Sequence, residues 1–141
     1  MQVAGGTGMD VTRWFRLEEA QALLPEVRIH AARAVMLVDQ LGSVGRAARA
    51  EPGAPAAPDA LRHGHDLELE LDACLAWFDR QGILVRGLAP VLLDFPARAR
   101  HDGEDVEVLL CWRDDEDAIG YYHPPEDGYR ARVPIAMLDR V

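Results

Sequence analysis

The spacing of apolar residues changes near residue 82, and this change limits the possible folds more than any other feature of the chain. Before it, an apolar residue recurs every three or four positions, as on one face of a helix, at Val27, Ala31, Ala34, Val38 and Leu41. After it, short apolar runs are separated by turn residues, which is typical of strands. We therefore expect an α+β fold, in which an antiparallel helical hairpin combines with a small antiparallel sheet of three or four strands.

Two helices are predicted in residues 17–82, which form the helical half. The first begins at Leu17, and Pro25 is expected either to kink it or to start a new helix. A Pro-rich connector, residues 50–59, follows. The apolar stripe of the second helix comprises Leu67, Leu71, Cys74 or Leu75, and Phe78. Gly82 then stands at a position typical of a C-cap glycine.

Residues 83–141 form the sheet half. Strand patterns occur at 83–86, at 91–95 before Pro96, at 105–112 and at 118–123, with a further edge segment at 133–135. The turns between them are too short for crossover helices, so the strands are expected to form an antiparallel meander. We expect residues 1–12 to be a flexible tail and residues 13–141 to form a single domain.

The charge of the chain argues against two classes of partner. The formal net charge is −9, and all 15 basic residues are arginine. Sequence-independent nucleic-acid binding and docking on anionic membranes both need clustered basic residues, so neither is expected. The absence of lysine also excludes Schiff-base chemistry.

The expected location is the cytoplasm. Residues 1–10 have neither the basic nor the apolar segment of a signal peptide, and no apolar run reaches the length of a membrane span. Cys74 and Cys111 lie far apart and form no CxxC motif, so both are predicted to be reduced thiols.

Four segments of the chain resemble the pattern of one protein family. Residues 15–25 read FRLEEAQALLP, similar to an FTLEEANALLP opening, and residues 92–96 read LLDFP, similar to LVDFP. Residues 108–123 are similar to VYLCW…GE..I.YWH, and residues 128–135 to GF..R.PI. In this order they resemble the bacterial family called domain of unknown function 2203, over roughly residues 14–135.

The resemblance implies no activity, but it marks polar and aromatic positions, namely Asp94, Cys111, Trp112, Glu116 and His123. Two residues depart from the family pattern. Arg16 replaces a capping Thr, so the capping box with Glu19 is expected to be lost, at a cost of about 1 kcal/mol. Tyr122 replaces a Trp.

The sheet half carries residue types that ligate metals. The candidate ligands of a divalent transition metal are Cys111, His123, Glu116, Asp94 and Glu107. A strand Cys is equally typical of a small buried apolar side chain, and an Asp before Phe-Pro is typical of a turn.

The register of the 105–123 hairpin decides whether such a site exists. If Cys111 pairs with Ile119, then Glu107 lies opposite His123, and Cys111 and His123 share a face. If Trp112 pairs with Ile119, the two side chains lie on opposite faces. The sequence leaves both registers open.

Aromatic residues and arginines are concentrated in the last third of the chain. The candidate contacts to a partner or a small-molecule ligand are Trp112, Tyr121, Tyr122, Tyr129 and Arg130. The alternative is a compact aromatic core behind the sheet.

Two functions are compatible with these features. The first is a non-enzymatic binding or interaction module that forms a homodimer through its helical hairpin, since the apolar stripes exceed what one hairpin buries. The second is a metal-binding protein or metalloenzyme whose site lies in the sheet half. No Ser-His-Asp order, glycine-rich phosphate loop or paired-carboxylate spacing in the sequence rises above chance.

Overall fold

The computed structural model describes residues 10–48, 53 and 57–141. Two helices, α1 at Leu17–Ala48 and α2 at Pro58–Gln81, precede the strands β1 at Leu84–Leu88, β2 at Val91–His101, β3 at Glu104–Arg113, β4 at Tyr121–His123 and β5 at Val133–Pro134. Single 3₁₀ turns lie at Tyr129–Ala131 and Ile135–Met137. Residues 1–9 of the predicted tail, and 49–52 and 54–56 of the predicted connector, lie outside the described residues.

The strands form one antiparallel meander in the order β1-β2-β3-β4-β5. The α+β class is thereby confirmed, with five strands where the sequence predicts three or four. The fifth strand lies at one edge of the sheet, where Val133 and Pro134 of the predicted edge segment pair with Tyr122 and Tyr121. Only two residues of that segment pair, which is too short an apolar pattern to establish a strand from sequence alone.

Helix α1 is continuous through Pro25, which therefore does not start a second helix. Its backbone lacks one hydrogen bond there, but burial of Leu24 and Val27 on either side of Pro25 outweighs that loss. The capping box is also not entirely lost. The backbone N–H of Arg16 donates to Glu19 Oε1 at 2.9 Å, which is the half of the motif that needs no Thr.

The helices pack on one face of the sheet. The apolar stripe predicted for α1 is wrong at one position. Val38 is 40% exposed, and Leu37, only 1% exposed, takes its place in the core. In α2, Leu67, Cys74 and Phe78 are buried as predicted. Within the described part of the chain, no helix combines the length and apolarity that a membrane span requires.

Strand β2 runs through Pro96, which does not end it as the sequence predicts. The carbonyl of Pro96 accepts a hydrogen bond from Phe15 N–H at 2.7 Å, so this residue's backbone polar groups point away from β3. β1 does not extend as far as Pro96, since its first residue, Leu84, pairs with Asp94. The N–H that proline lacks is therefore not needed by the ladder.

Gly82 ends α2 with a left-handed backbone, φ +81°, as predicted for a C-cap. A Cβ at this residue would lie 2.7 Å from Cβ of Arg13. Gly103 has the same φ but open space around it. We expect Gly82→Ala to lower the free energy of unfolding by more than the roughly 1–2 kcal/mol that a left-handed backbone alone costs.

Urea denaturation measures this difference, with Gly103→Ala as the matched control. The control is expected to show only the backbone cost. Equal losses in the two variants would contradict the close approach of the Arg13 segment to the end of α2.

Candidate functional site

The register of the sheet brings three of the predicted ligands onto one face. Asp94 in β2 pairs with Cys111 in β3, and Cys111 pairs with Tyr121 in β4. His123 pairs with Leu109, which places it diagonally next to Cys111. Side chains two apart on a strand share a face, so Asp94, Cys111 and His123 all point away from the helices.

Both pairings considered from the sequence are wrong. Cys111 lies opposite Tyr121, not Ile119, because the segment between β3 and β4 makes a wider connection than a tight hairpin. Relative to the predicted pairing of Cys111 with Ile119, the register of β4 against β3 is shifted by two residues. A two-residue shift preserves the face of each side chain, so Cys111 and His123 still lie together.

The three side chains form a compact buried group. One oxygen of Asp94, a ring nitrogen of His123 and Sγ of Cys111 lie within 4.8 Å of one another. The three residues are only 1–2% exposed. Asp94 lies in the middle of a strand, and its carboxylate bonds side chains, so it does not have the turn role that its sequence context suggests.

Hydrogen bonds fix the orientation of each polar group. His123 Nδ1 donates to the carbonyl of Pro124 at 2.9 Å, and Nε2 lies 3.1 and 3.2 Å from the two oxygens of Asp94. Arg86 Nε donates to Asp94 Oδ2 at 2.9 Å. Nε2 is therefore the ring nitrogen directed at the cluster.

These contacts change the pKa of His123. Burial alone would lower it, but hydrogen bonds with Asp94, Cys111 and the Pro124 carbonyl, together with the Asp94 charge, outweigh burial and raise the pKa from 6.5 to about 10. The raised pKa favours the imidazolium form of the ring, in which both nitrogens donate.

The stability of the metal-free protein should fall as the pH rises. A pKa raised on folding stabilises the protein fully below the unfolded value of 6.5, and this contribution is lost as pH approaches about 10. The slope for one proton is at most about 1.4 kcal/mol per pH unit. Chemical denaturation between pH 6 and 10, in the presence of a chelator, measures it.

Two variants assign the slope: His123→Gln is the test, and His101→Gln is its matched control. The first variant should lose this part of the slope, since glutamine takes up no proton there. The second alters an accessible histidine and should keep the slope. A wild-type slope that survives in His123→Gln would show that another group causes it.

Arg132 lies beside the cluster and is held from several sides. Its Nη1 lies 3.8 Å from Cys111 Sγ, and its guanidinium pairs with the carboxylate of Glu116. Its Cζ lies 4.1 Å from the ring centre of Tyr121 and 4.4 Å from that of Tyr129. Glu116 is thus a partner of Arg132 and lies outside the Asp94–Cys111–His123 cluster.

The remaining predicted residues are spread over the sheet. Glu107 is exposed and lies opposite Arg98 in the register of β2 and β3, outside the cluster. Trp112 and Tyr122 are buried on the helix-facing side, where they join the core. Arg130 is exposed. The aromatic residues therefore divide between the two faces, with Tyr121 and Tyr129 on either side of Arg132.

A pocket of about 390 Å³ adjoins the cluster. The side chains of Asp94, Cys111 and His123 line it together with Arg86, Leu92 and residues 125–129. Glu126 and Asp127 in this segment are exposed. A small molecule or water can therefore reach the cluster from this side.

Sequence reasoning misses the two arginines, Arg86 and Arg132, that contact the cluster. Arg86 lies at a bulge between Val85 and Gly87, so strand alternation does not predict its direction. The only available signal for Arg86 is the glycine that follows it, which is often found at bulges.

Comparison with known proteins identifies the family. No curated protein and no solved structure matches the chain. The sequence model of one family, described as "Uncharacterized conserved protein (DUF2203)", matches residues 13–135. This match spans the helical hairpin and the whole sheet, including Asp94, Cys111 and His123. The chain therefore belongs to the DUF2203 family.

Proposed function

We propose that this protein binds one divalent transition metal ion through Asp94, Cys111 and His123. The observation that carries the proposal is the convergence of three different ligand atoms, within 4.8 Å, at the floor of a pocket. A thiolate, an imidazole and a carboxylate form a ligand set that suits zinc, and related ions of the first transition row compete for it.

The hydrogen bonds of His123 favour metal binding over nucleophilic catalysis. A Cys-His-Asp relay uses one ring nitrogen for the thiol and the other for the carboxylate. Here Nδ1 is taken by the Pro124 carbonyl, so Nε2 is left to serve both partners. Metal-ligating histidines commonly donate their second N–H to a backbone carbonyl in this way.

Charge balance also supports the proposal. A divalent ion would replace two protons, one from His123 Nε2 and one from the Cys111 thiol. The net charge of the group, Arg86 included, would then be the same with the ion as with the protons. Arg86 would remain on Asp94 Oδ2 and orient the carboxylate, while Oδ1 would be free to bind.

Elemental analysis tests the proposal directly. Protein purified in a reducing buffer without chelator should contain close to one zinc, iron or manganese ion per chain. After metal removal, adding the same ion should raise the melting temperature. Metal-free protein whose melting temperature is unchanged by all three ions would overturn the proposal.

We also propose that the protein functions in the cytoplasm. Cys74 and Cys111 are both free and buried in the structure. A thiol that serves as a metal ligand must stay reduced, as it does in a reducing compartment. Fractionation of the native host cells, with detection of the protein by antibody, measures this location.

A further inference from the structure

The helix α1 borders an apolar groove that shares no residue with the Asp94–Cys111–His123 cluster. The groove has a volume of about 540 Å³, and α1 contributes Arg28, Ala31, Ala32, Val35, Met36 and Asp39 to it. Its other wall is formed by Val91, Trp112 and Asp114. Val35 is 38% exposed and Met36 47%, so apolar surface remains accessible there.

Four of these residues form a regular row on the helix. Arg28, Ala32, Val35 and Asp39 follow one another at intervals of four, three and four, which is the spacing of a helix–helix contact row. The row is apolar in the middle, and its two ends carry opposite charges. The ends are separated by about 16 Å along the helix.

Both end charges lack an ion-pair partner among the described residues. The guanidinium of Arg28 is nevertheless held in place. It donates to the carbonyls of Glu116 and Asp117 at 3.1 and 2.7 Å and lies over the ring of Trp112. A carboxylate from outside the chain could therefore pair with a positioned cation.

The order of charges selects one partner and one orientation. If a second α1 lies antiparallel to the first, with the two-fold axis between residues 33 and 34, Arg28 faces the partner's Asp39. Ala32 then faces the partner's Val35, so a small side chain meets a larger one. A parallel arrangement would instead place Arg28 beside the partner's Arg28.

We propose that a second copy of this chain packs against the groove. The same surface of each copy forms the contact, and the two α1 helices lie antiparallel. The contact is self-complementary, as a two-fold interface requires. Two symmetric Arg28–Asp39 pairs fix its orientation, and Val35 and Met36 supply its apolar centre. This proposal is independent of metal binding, since none of the groove residues belongs to the cluster.

Light scattering after size-exclusion chromatography tests the proposal with the full chain. The wild type should elute with twice the 15.6-kDa chain mass at micromolar concentration. Asp39→Arg should weaken the dimer at least about tenfold, because two attractive pairs become like-charge contacts. Glu26→Arg, an equal charge change at an exposed position of α1 outside the groove, should leave the dimer intact.

Mixing two variants separates charge pairing from misfolding. Arg28→Asp and Asp39→Arg should each be monomeric, but an equal mixture should form a heterodimer, because both pairs are then restored with reversed polarity in one of them. A monomeric wild type would overturn the proposal. So would a dimer that Asp39→Arg leaves unchanged, or a mixture of folded variants that stays monomeric.

Discussion

Cys111→Ser is expected to weaken zinc binding by more than about 100-fold, which is the upper range for residues that only support a ligand. The thiolate supplies both a soft donor atom and a negative charge to the ion. A serine hydroxyl does not lose its proton at neutral pH in the same way, so the site would keep the carboxylate and the imidazole alone. Competition with a chromophoric chelator measures the affinity of the reduced, metal-free protein.

Cys74→Ser is the matched control. Cys74 is also buried and free, but it lies between the helices, where its thiol donates to the carbonyl of His30 at 3.1 Å. This variant should bind zinc as the wild type does. Equal affinities for Cys111→Ser and the wild type would show that zinc binds elsewhere.

Among replacements of buried polar side chains in the sheet, Asp94→Ala is expected to cause the largest loss of stability. The carboxylate is 2% exposed and accepts hydrogen bonds from both Arg86 and His123. Removing one partner from a buried ion pair costs about 3–5 kcal/mol. Loss of the His123 proton would relieve part of this cost, so we expect about 3 kcal/mol, or a fall in melting temperature near 10 °C.

Calorimetry of the metal-free protein measures this loss, and Asp105→Ala is its control. Asp105 pairs with Arg100 on the surface, with 84% of its side chain exposed. Exposed pairs contribute at most about 1 kcal/mol, so the control should melt near the wild type. A small shift for Asp94→Ala would contradict a charge-paired role of this carboxylate.

Local signals predict much of the fold because each one acts within a few residues. The C-cap at Gly82 requires a left-handed backbone that glycine adopts most easily, and the structure confirms it. The end of β2 is predicted wrongly at Pro96 for a different reason. Whether proline ends a strand depends on whether a neighbouring strand needs its N–H, and at Pro96 the neighbour is the Phe15 segment, which is distant in sequence and bonds only the carbonyl.

The candidate site is only partly predictable, because its residue types are read locally but its assembly depends on contacts between distant residues. The residue types identify Asp94, Cys111 and His123, but only the register brings them together. That register depends on residues 114–120, where Glu116 bonds the backbone N–H of Arg113 and pairs with Arg132. The interactions of Glu116 are tertiary, so its residue type alone suggests a ligand where the structure has an ion-pair partner.

Anomalous diffraction from crystals grown with zinc would test the central claim most directly. We predict one peak bonded to Cys111 Sγ at about 2.3 Å and to His123 Nε2 at about 2.0–2.1 Å, with a carboxylate oxygen of Asp94 as the third protein ligand. A fully occupied zinc held by other residues, such as the exposed His63 and His65 of α2, with the cluster empty, would contradict the account.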